Sequence, residues 1–193
     1  QEANVLLLEQ MLQNAGYTTG FIGKYLNGYG DGGAGGITHV PPGWNFWRGL
    51  IDPLGTYQFY NYSINENGIV RAYGTNPVDY QTDVLAQKAT DFISNQMSSS
   101  KPFFMWVTPL APHIARQSFY GDNPEPAPRH NGTFANLALP QPPSFNEADM
   151  TDKPAFMQEH QLLDANAVTA ATNLYRDRRV LHQGARALTA PAR

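Results

Sequence analysis

The chain reads as an α/β protein built on a mostly parallel sheet, and three observations predict this. An amphipathic helical stretch near the start runs directly into the short apolar segment "YTTGFIG". A second helical stretch, about residues 83 to 97, leads into the apolar run Phe103 to Val107. That run shows no alternation, the pattern of a strand covered on both faces as parallel strands are. Strand, crossover, helix and strand then make a βαβ-like unit.

Each element has its own warrant. Val5, Leu8, Leu12 and Ala15 repeat at helical spacing and Gly16 supplies a left-handed stop, so a first helix is predicted over about residues 3 to 15. "YTTGFIG" is the first strand, and a loop starts at Gly23. "GYGDGGAGGITHVPPG", residues 28 to 43, is too rich in glycine and proline for regular structure and reads as a long surface or active-site loop. "TYQFYNYSI", "NENG" and "IVRAYG" alternate aromatic with polar residues about an Asn-Gly turn, a β-hairpin. In "DYQTDVLAQKATDFISNQMS", Val84, Leu85, Ala89, Phe92, Ile93 and Met97 form one apolar face, and Thr82 or Asp83 is placed to cap the first turn. Residues 109 to 154 hold most of the prolines and no clear period, a long excursion of the kind that serves a site or a partner. A third helix is expected from about Asp164 through "ANAVTAATNLYRDRR". "VLHQGARALTAPAR" then loses the helical pattern, and the last ten or so residues are expected to be disordered.

Composition limits the function. A chain of 193 residues, 41% hydrophobic and 12% aromatic, can bury a real core in one domain or at most two small ones. A net charge of -3 and a pI near 5.9 show no basic excess, so nucleic acid is not an expected partner. The absence of cysteine removes disulfides, thiolate metal sites and cysteine nucleophiles together. No apolar run approaches the length of a membrane span, and "VLLL" is too short and lacks the basic flank of a signal peptide. With "QEANVLLLEQ" and no initiator methionine at its start, the chain is expected to begin inside a longer protein. Two sequons, at Asn61 and Asn131, matter only in a secretory protein.

Lys24 lies just past the first strand and His113, closing "TPLAPH", just past the second. Ligands of open parallel sheets sit beyond the carboxyl ends of the strands, so the two side chains are expected to reach one rim. An ammonium with three donors and an imidazole with a donor from either nitrogen suit the oxygens of a tetrahedral anion, a sulfate or phosphate ester. The bland alternative is a solvated lysine and a structural histidine. His39, His130, His160 and His182 lack spaced partners, and no motif spells a metal site. Asp31 stands alone among glycines, while Asp149 and Asp152, in the proline-rich loop, read as a solvated loop or a helix cap in preference to a cation site.

The motifs "AGYTTGFIGKYLNGYG", "VPPGW", "KPFFMWVTPLAPH" and "YRDRR", in that order, resemble the sulfatase family of the alkaline-phosphatase-like superfamily. Within it they are most similar to the branch of arylsulfatases, N-acetylglucosamine-6-sulfatases and heparan endosulfatases. The resemblance covers about residues 1 to 180 and implies part of a sulfatase catalytic domain with an α/β/α sandwich. Residues 181 to 193 are left as a disordered or aberrant tail, such as a frame-shift or alternative splice would leave. It implies that Lys24 and His113 contact the substrate sulfate, as catalytic and substrate-binding residues. Where many sulfatases carry a histidine two residues after the lysine, this chain has Leu26 followed by Asn27, and Asn27 is the candidate for the missing donor.

The resemblance also implies calcium and a formylglycine nucleophile in full-length members. Neither the Cys/Ser-x-Pro/Ala-x-Arg motif nor the aspartate pairs that hold calcium occur in this chain, and the second pocket lysine is missing too. The expected function is therefore a sulfuric ester hydrolase fragment carrying half a sulfate pocket, nearly inactive alone, acting in its full form on a sulfate-ester small molecule or sulfated sugar. A secreted, periplasmic or lysosomal location follows from the same likeness. The alternatives are an inactive anion-binding protein and a phosphoesterase of the superfamily. Tyr29, Trp44, Trp47, Phe119 and Tyr120 are candidates to stack on a substrate ring or to pack the scaffold.

Overall fold

The computed structural model describes residues 7–113, 115 and 125–186. Along the chain come α1 (Leu8–Asn14), β1 (Thr18–Lys24), β2 (Phe46–Leu50), β3 (Tyr62–Glu66), β4 (Ile69–Tyr73), α2 (Gln81–Gln96), β5 (Phe103–Thr108), the single turn α3 (Ala155–Gln158) and α4 (Ala165–Arg186). The strands form one sheet in the order β4-β3-β2-β1-β5. β1 is parallel to β2 and to β5, whereas the β2–β3 and β3–β4 pairs are antiparallel. The α/β class expected from the sequence forms, with the parallel ladder centred on β1 and the hairpin extending one side.

Local chemistry sets the element ends. Gly16, at φ 89°, donates its N–H to Gln13 O at 2.9 Å and Tyr17 donates to Leu12 O at 3.0 Å, closing α1 with paired carbonyls. The β3–β4 turn is Asn67-Gly68, both at positive φ as a two-residue hairpin turn requires. Asp164 caps α4 by accepting the Ala167 N–H at 2.7 Å.

Side chains of β1 alternate between two faces. Ile22 packs with Leu50, Tyr62, Ile64, Leu85 and Ala89 beneath α2. Phe21 turns to the opposite face with Tyr29, Trp44, Trp47 and Ile51, stacking on Trp47 at 4.6 Å between ring centroids. The Tyr29 hydroxyl accepts Trp47 Nε1–H at 2.6 Å and Asn65 Nδ2–H at 2.9 Å and donates to His39 O at 2.6 Å, so it is fully engaged inside this aromatic cluster, whereas the buried Trp44 Nε1–H finds no partner among the described residues.

Several expectations change. The sequence reading holds no strand at Phe46–Leu50; β2 forms there because Trp47 fills the aromatic cluster while Leu50 lies under α2 and Phe46 meets Phe92 at 5.1 Å. The expected apolar face of α1 is not the packed one. Leu8 and Ala15 are exposed and Val5 lies outside the described residues, while Glu9 is buried with its aliphatic stem against Gly43. Among the described residues β5 is the sheet edge and is not covered on both faces, and Phe103 and Trp106 are 42% and 49% exposed. The stripe on α2 is narrower than expected, with Ile93 and Met97 exposed. Neither Thr82 nor Asp83 caps α2; Asp83 instead holds Arg129 through two hydrogen bonds of 2.5 and 2.7 Å. α4 continues through Arg186 over "VLHQGAR", where leucine, glutamine, alanine and arginine carry the propensity that the apolar period lacks. Residues 187–193 of the expected disordered tail lie outside the described residues.

Candidate active site

Because β2, β1 and β5 run parallel, their carboxyl ends open on one rim of the sheet. Lys24 ends β1, Asp52 opens a 3-10 turn (Asp52–Leu54) just after β2, and His113 follows β5 after the segment 109–112. The backbone at this rim is closely packed. Gly23 pairs with Thr108 across the β1–β5 ladder at φ 119°, and a Cβ there would fall 2.1 Å from Thr108 O. Thr108 Oγ1 donates to Lys24 O at 2.7 Å, tying the strand ends together.

The Lys24 side chain is 15% exposed. Its ammonium donates to Tyr25 O at 2.8 Å and to Asp52 Oδ2 at 3.2 Å. It also lies 5.7 Å from the centroid of the Tyr57 ring. Asp52 Oδ2 accepts the Gly28 N–H as well, at 2.7 Å. Asp52 Oδ1 is enclosed and takes no hydrogen bond, so the ammonium 3.1 Å away balances it by charge. The Lys24 charge is thus matched by a resident carboxylate.

Tyr57 joins the remaining groups. Its hydroxyl donates to Asn27 Oδ1 at 3.1 Å, and its ring lies 5.4 Å from the His113 ring with 55° between planes. One buried cluster underlies the Tyr57 ring and the chain just before the exposed His113. Leu110 and Ala111, just before His113, pack with Phe59, Tyr80, Ala115 and Ala127, and Tyr57 rests on the same cluster. The His113 N–H closes a turn onto Leu110 O at 2.9 Å. Lys24, Asn27 and His113, each nominated by the sequence, therefore all meet the Tyr57 ring or hydroxyl.

Sequence reasoning missed Asp52 and Tyr57. The signal for Asp52 is a carboxylate directly after the strand "FWRGL", which is readable only once β2 is recognised. Tyr57 sits in a run read as hairpin strand, although β3 begins only at Tyr62. Of the aromatic candidates, Tyr29, Trp44 and Trp47 are buried in the scaffold, and Phe119 and Tyr120 lie outside the described residues. Asp149 accepts the Thr151 N–H and hydroxyl, and Asp152 pairs with Lys153, which makes both parts of a local turn. Among the described residues no three His, Asp or Glu side chains come together to hold a metal. The chain has no cysteine. The described residues do not supply a calcium site.

Comparison with known proteins gives a consistent picture. The family model described as Sulfatase matches residues 3–162. N-acetylglucosamine-6-sulfatase of Capra hircus is 42% identical over 132 residues, covering 68% of this chain and 22% of the relative. An arylsulfatase of Volvox carteri is 33% identical over 178 residues, covering 86% of this chain and 26% of the relative. The chain thus spans about a quarter or less of the length of these relatives. A solved structure of BT4656, in complex with its substrate D-glucosamine-2-N,6-O-disulfate, shares the fold with a TM-score of 0.64 at 19% identity, covering 97% of this chain and 45% of that one.

Proposed function

The chain belongs to the sulfatase family of sulfuric ester hydrolases, and from that premise we propose that Lys24, Asn27 and His113 are part of a sulfate-ester pocket. The observation that carries the reading is their convergence on Tyr57 at the carboxyl rim of the parallel strands. In this reading Lys24 supplies positive charge to the ester oxygens, Asn27 an amide N–H, and His113 a hydrogen bond or proton to the oxygen that leaves. Calcium and formylglycine supply the metal and nucleophile chemistry of full-length members, and this chain alone is a pocket without them. It is expected to hydrolyse little, since losing a nucleophile costs on the order of 10⁴ to 10⁶ in rate.

The relatives named as N-acetylglucosamine-6-sulfatase and arylsulfatase, together with the sulfated sugar bound by the fold neighbour, support a sulfated sugar or aryl sulfate as substrate. Relatives named as extracellular sulfatases support a secreted location, and no described helix is long and apolar enough to cross a membrane. The carboxylate on Lys24 favours a second reading, an anion-binding protein without turnover, because Asp52 offsets the charge that a substrate would use.

Hydrolysis of p-nitrophenyl sulfate with calcium present, by this chain and by a form extended upstream in its own gene through the nucleophile motif, tests the proposal. Activity in the extended form alone, lost on Lys24→Ala or His113→Ala, supports it. Turnover by the short chain overturns the inactivity, and an extended enzyme indifferent to Lys24→Ala overturns the pocket.

A further inference from the structure

We propose that Tyr57 is a positioning residue of this pocket, orienting the Asn27 amide toward anions and setting the separation of Lys24 from His113; the inference rests on the sulfate-pocket reading above. An asparagine side chain is two-sided, with an oxygen that repels an anion and two N–H groups that bind one. The Tyr57 hydroxyl donates to Asn27 Oδ1 at 3.1 Å and so engages the repelling side. With its oxygen held, Asn27 meets an anion through its N–H groups. Without the phenol, an exposed asparagine rotates freely and offers either end.

The ring acts at the same time as a rigid spacer. Lys24 Nζ is 5.7 Å from its centroid, within cation–π reach, and the His113 ring is 5.4 Å away. Tyr57 lacks freedom to drift, because it packs on the buried Phe59 and Tyr80 cluster that also seats Leu110 and Ala111 before His113. It stands on the segment that Asp52 opens, so one short stretch of chain brings both the counter-ion of Lys24 and the spacer to the rim.

Inorganic sulfate is the probe, titrated into the chain by calorimetry, with the thermal midpoint measured alongside. Tyr57→Phe keeps the ring and removes the hydroxyl. The expected result is an unchanged midpoint within a degree or two and about three- to tenfold weaker sulfate binding, the worth of one neutral hydrogen bond. The double variant Tyr57→Phe/Asn27→Ala should bind no more weakly than Asn27→Ala alone, because the two act as one unit. Wild-type affinity in Tyr57→Phe, or losses that add in the double variant, overturns the proposal. If Tyr57→Phe fails to fold, the wild-type chain still decides: the Asn27 side-chain amide protons should shift saturably with sulfate in an NMR titration, and constant shifts overturn the role. Lys24→Ala separates the two levels. Undiminished sulfate binding in that variant sinks the pocket itself, while loss there with no effect at Tyr57 sinks only this inference.

Discussion

The Lys24 ammonium lies 3.1 Å from Asp52 Oδ1, in a pair whose side chains are only 15% and 13% exposed. Removing one partner strands the other. Lys24→Met leaves an enclosed carboxylate without its charge and should cost about 3 kcal/mol in urea unfolding. Asp52→Asn keeps an oxygen for the Gly28 N–H and should cost less, about 1 to 2 kcal/mol. Combined, they should lose less than the two effects added, because neither charge is then stranded. Asp52→Asn should also tighten sulfate binding, since the ammonium no longer has a resident counter-ion. Weaker binding in that variant would mean that Asp52 holds Lys24 in place more than it competes for it.

Gly23 and Gly16 separate two costs of adding a side chain. Both sit at positive φ, 119° and 89°, but nothing lies within 4 Å of a Cβ at Gly16, while one at Gly23 would fall 2.1 Å from Thr108 O. Gly16→Ala should therefore lose about 1 kcal/mol from backbone strain alone. Gly23→Ala must also part β1 from β5 just where Lys24 begins, and should lose more than about 3 kcal/mol together with sulfate binding. Equal losses in chemical denaturation would show that the two strands yield at this point.

Glu66 sets an acid limit on stability. Burial pushes its carboxyl up, but hydrogen bonds from Lys88 and Tyr73 and the charges of Lys88 and Arg48 outweigh that and hold it below the usual glutamate range. A carboxyl depressed in the folded state binds fewer protons there than when unfolded. Its stabilisation is then present above the unfolded value of about 4.3 and is lost as pH falls through the folded value. The wild-type melting midpoint should drop on acidification below about pH 4. Glu66→Gln should lie about 2 kcal/mol lower at neutral pH and show a shallower acid slope. Parallel slopes would assign the acid loss to other groups.

What the sequence makes legible here is local. The Gly16 stop, the Asn67-Gly68 turn and the Asp164 start of α4 depend on a few neighbouring residues, and Lys24 and His113 stand out because each follows a recognisable strand. What escapes is non-local. β2 follows a glycine-rich loop and earns its place through Trp47 and Leu50, whose partners are distant in sequence, and with β2 unseen Asp52 looks like one more loop carboxylate. Tyr29 in its loop looks available for a ligand until Trp47 and Asn65 close on its hydroxyl. The apolar run of β5 marks a strand, yet it carries no signal for whether a neighbour lies on its outer side.

That outer side supports a prediction about solution behaviour. Among the described residues β5 pairs only with β1, so the far edge of the strand presents backbone groups to whatever approaches, flanked by Phe103 and Trp106 at 42% and 49% exposure. An unprotected apolar edge templates pairing with other chains. The chain should therefore self-associate as its concentration rises, seen as a growing weight-average mass in sedimentation, and should bind a hydrophobic dye while folded. Trp106→Lys places a charge on the edge at the expense of one ring contact with Phe21, at 5.9 Å, and should lower both signals without removing the unfolding transition. A wild-type chain of constant mass across the range, with no dye binding, would show that the edge is protected.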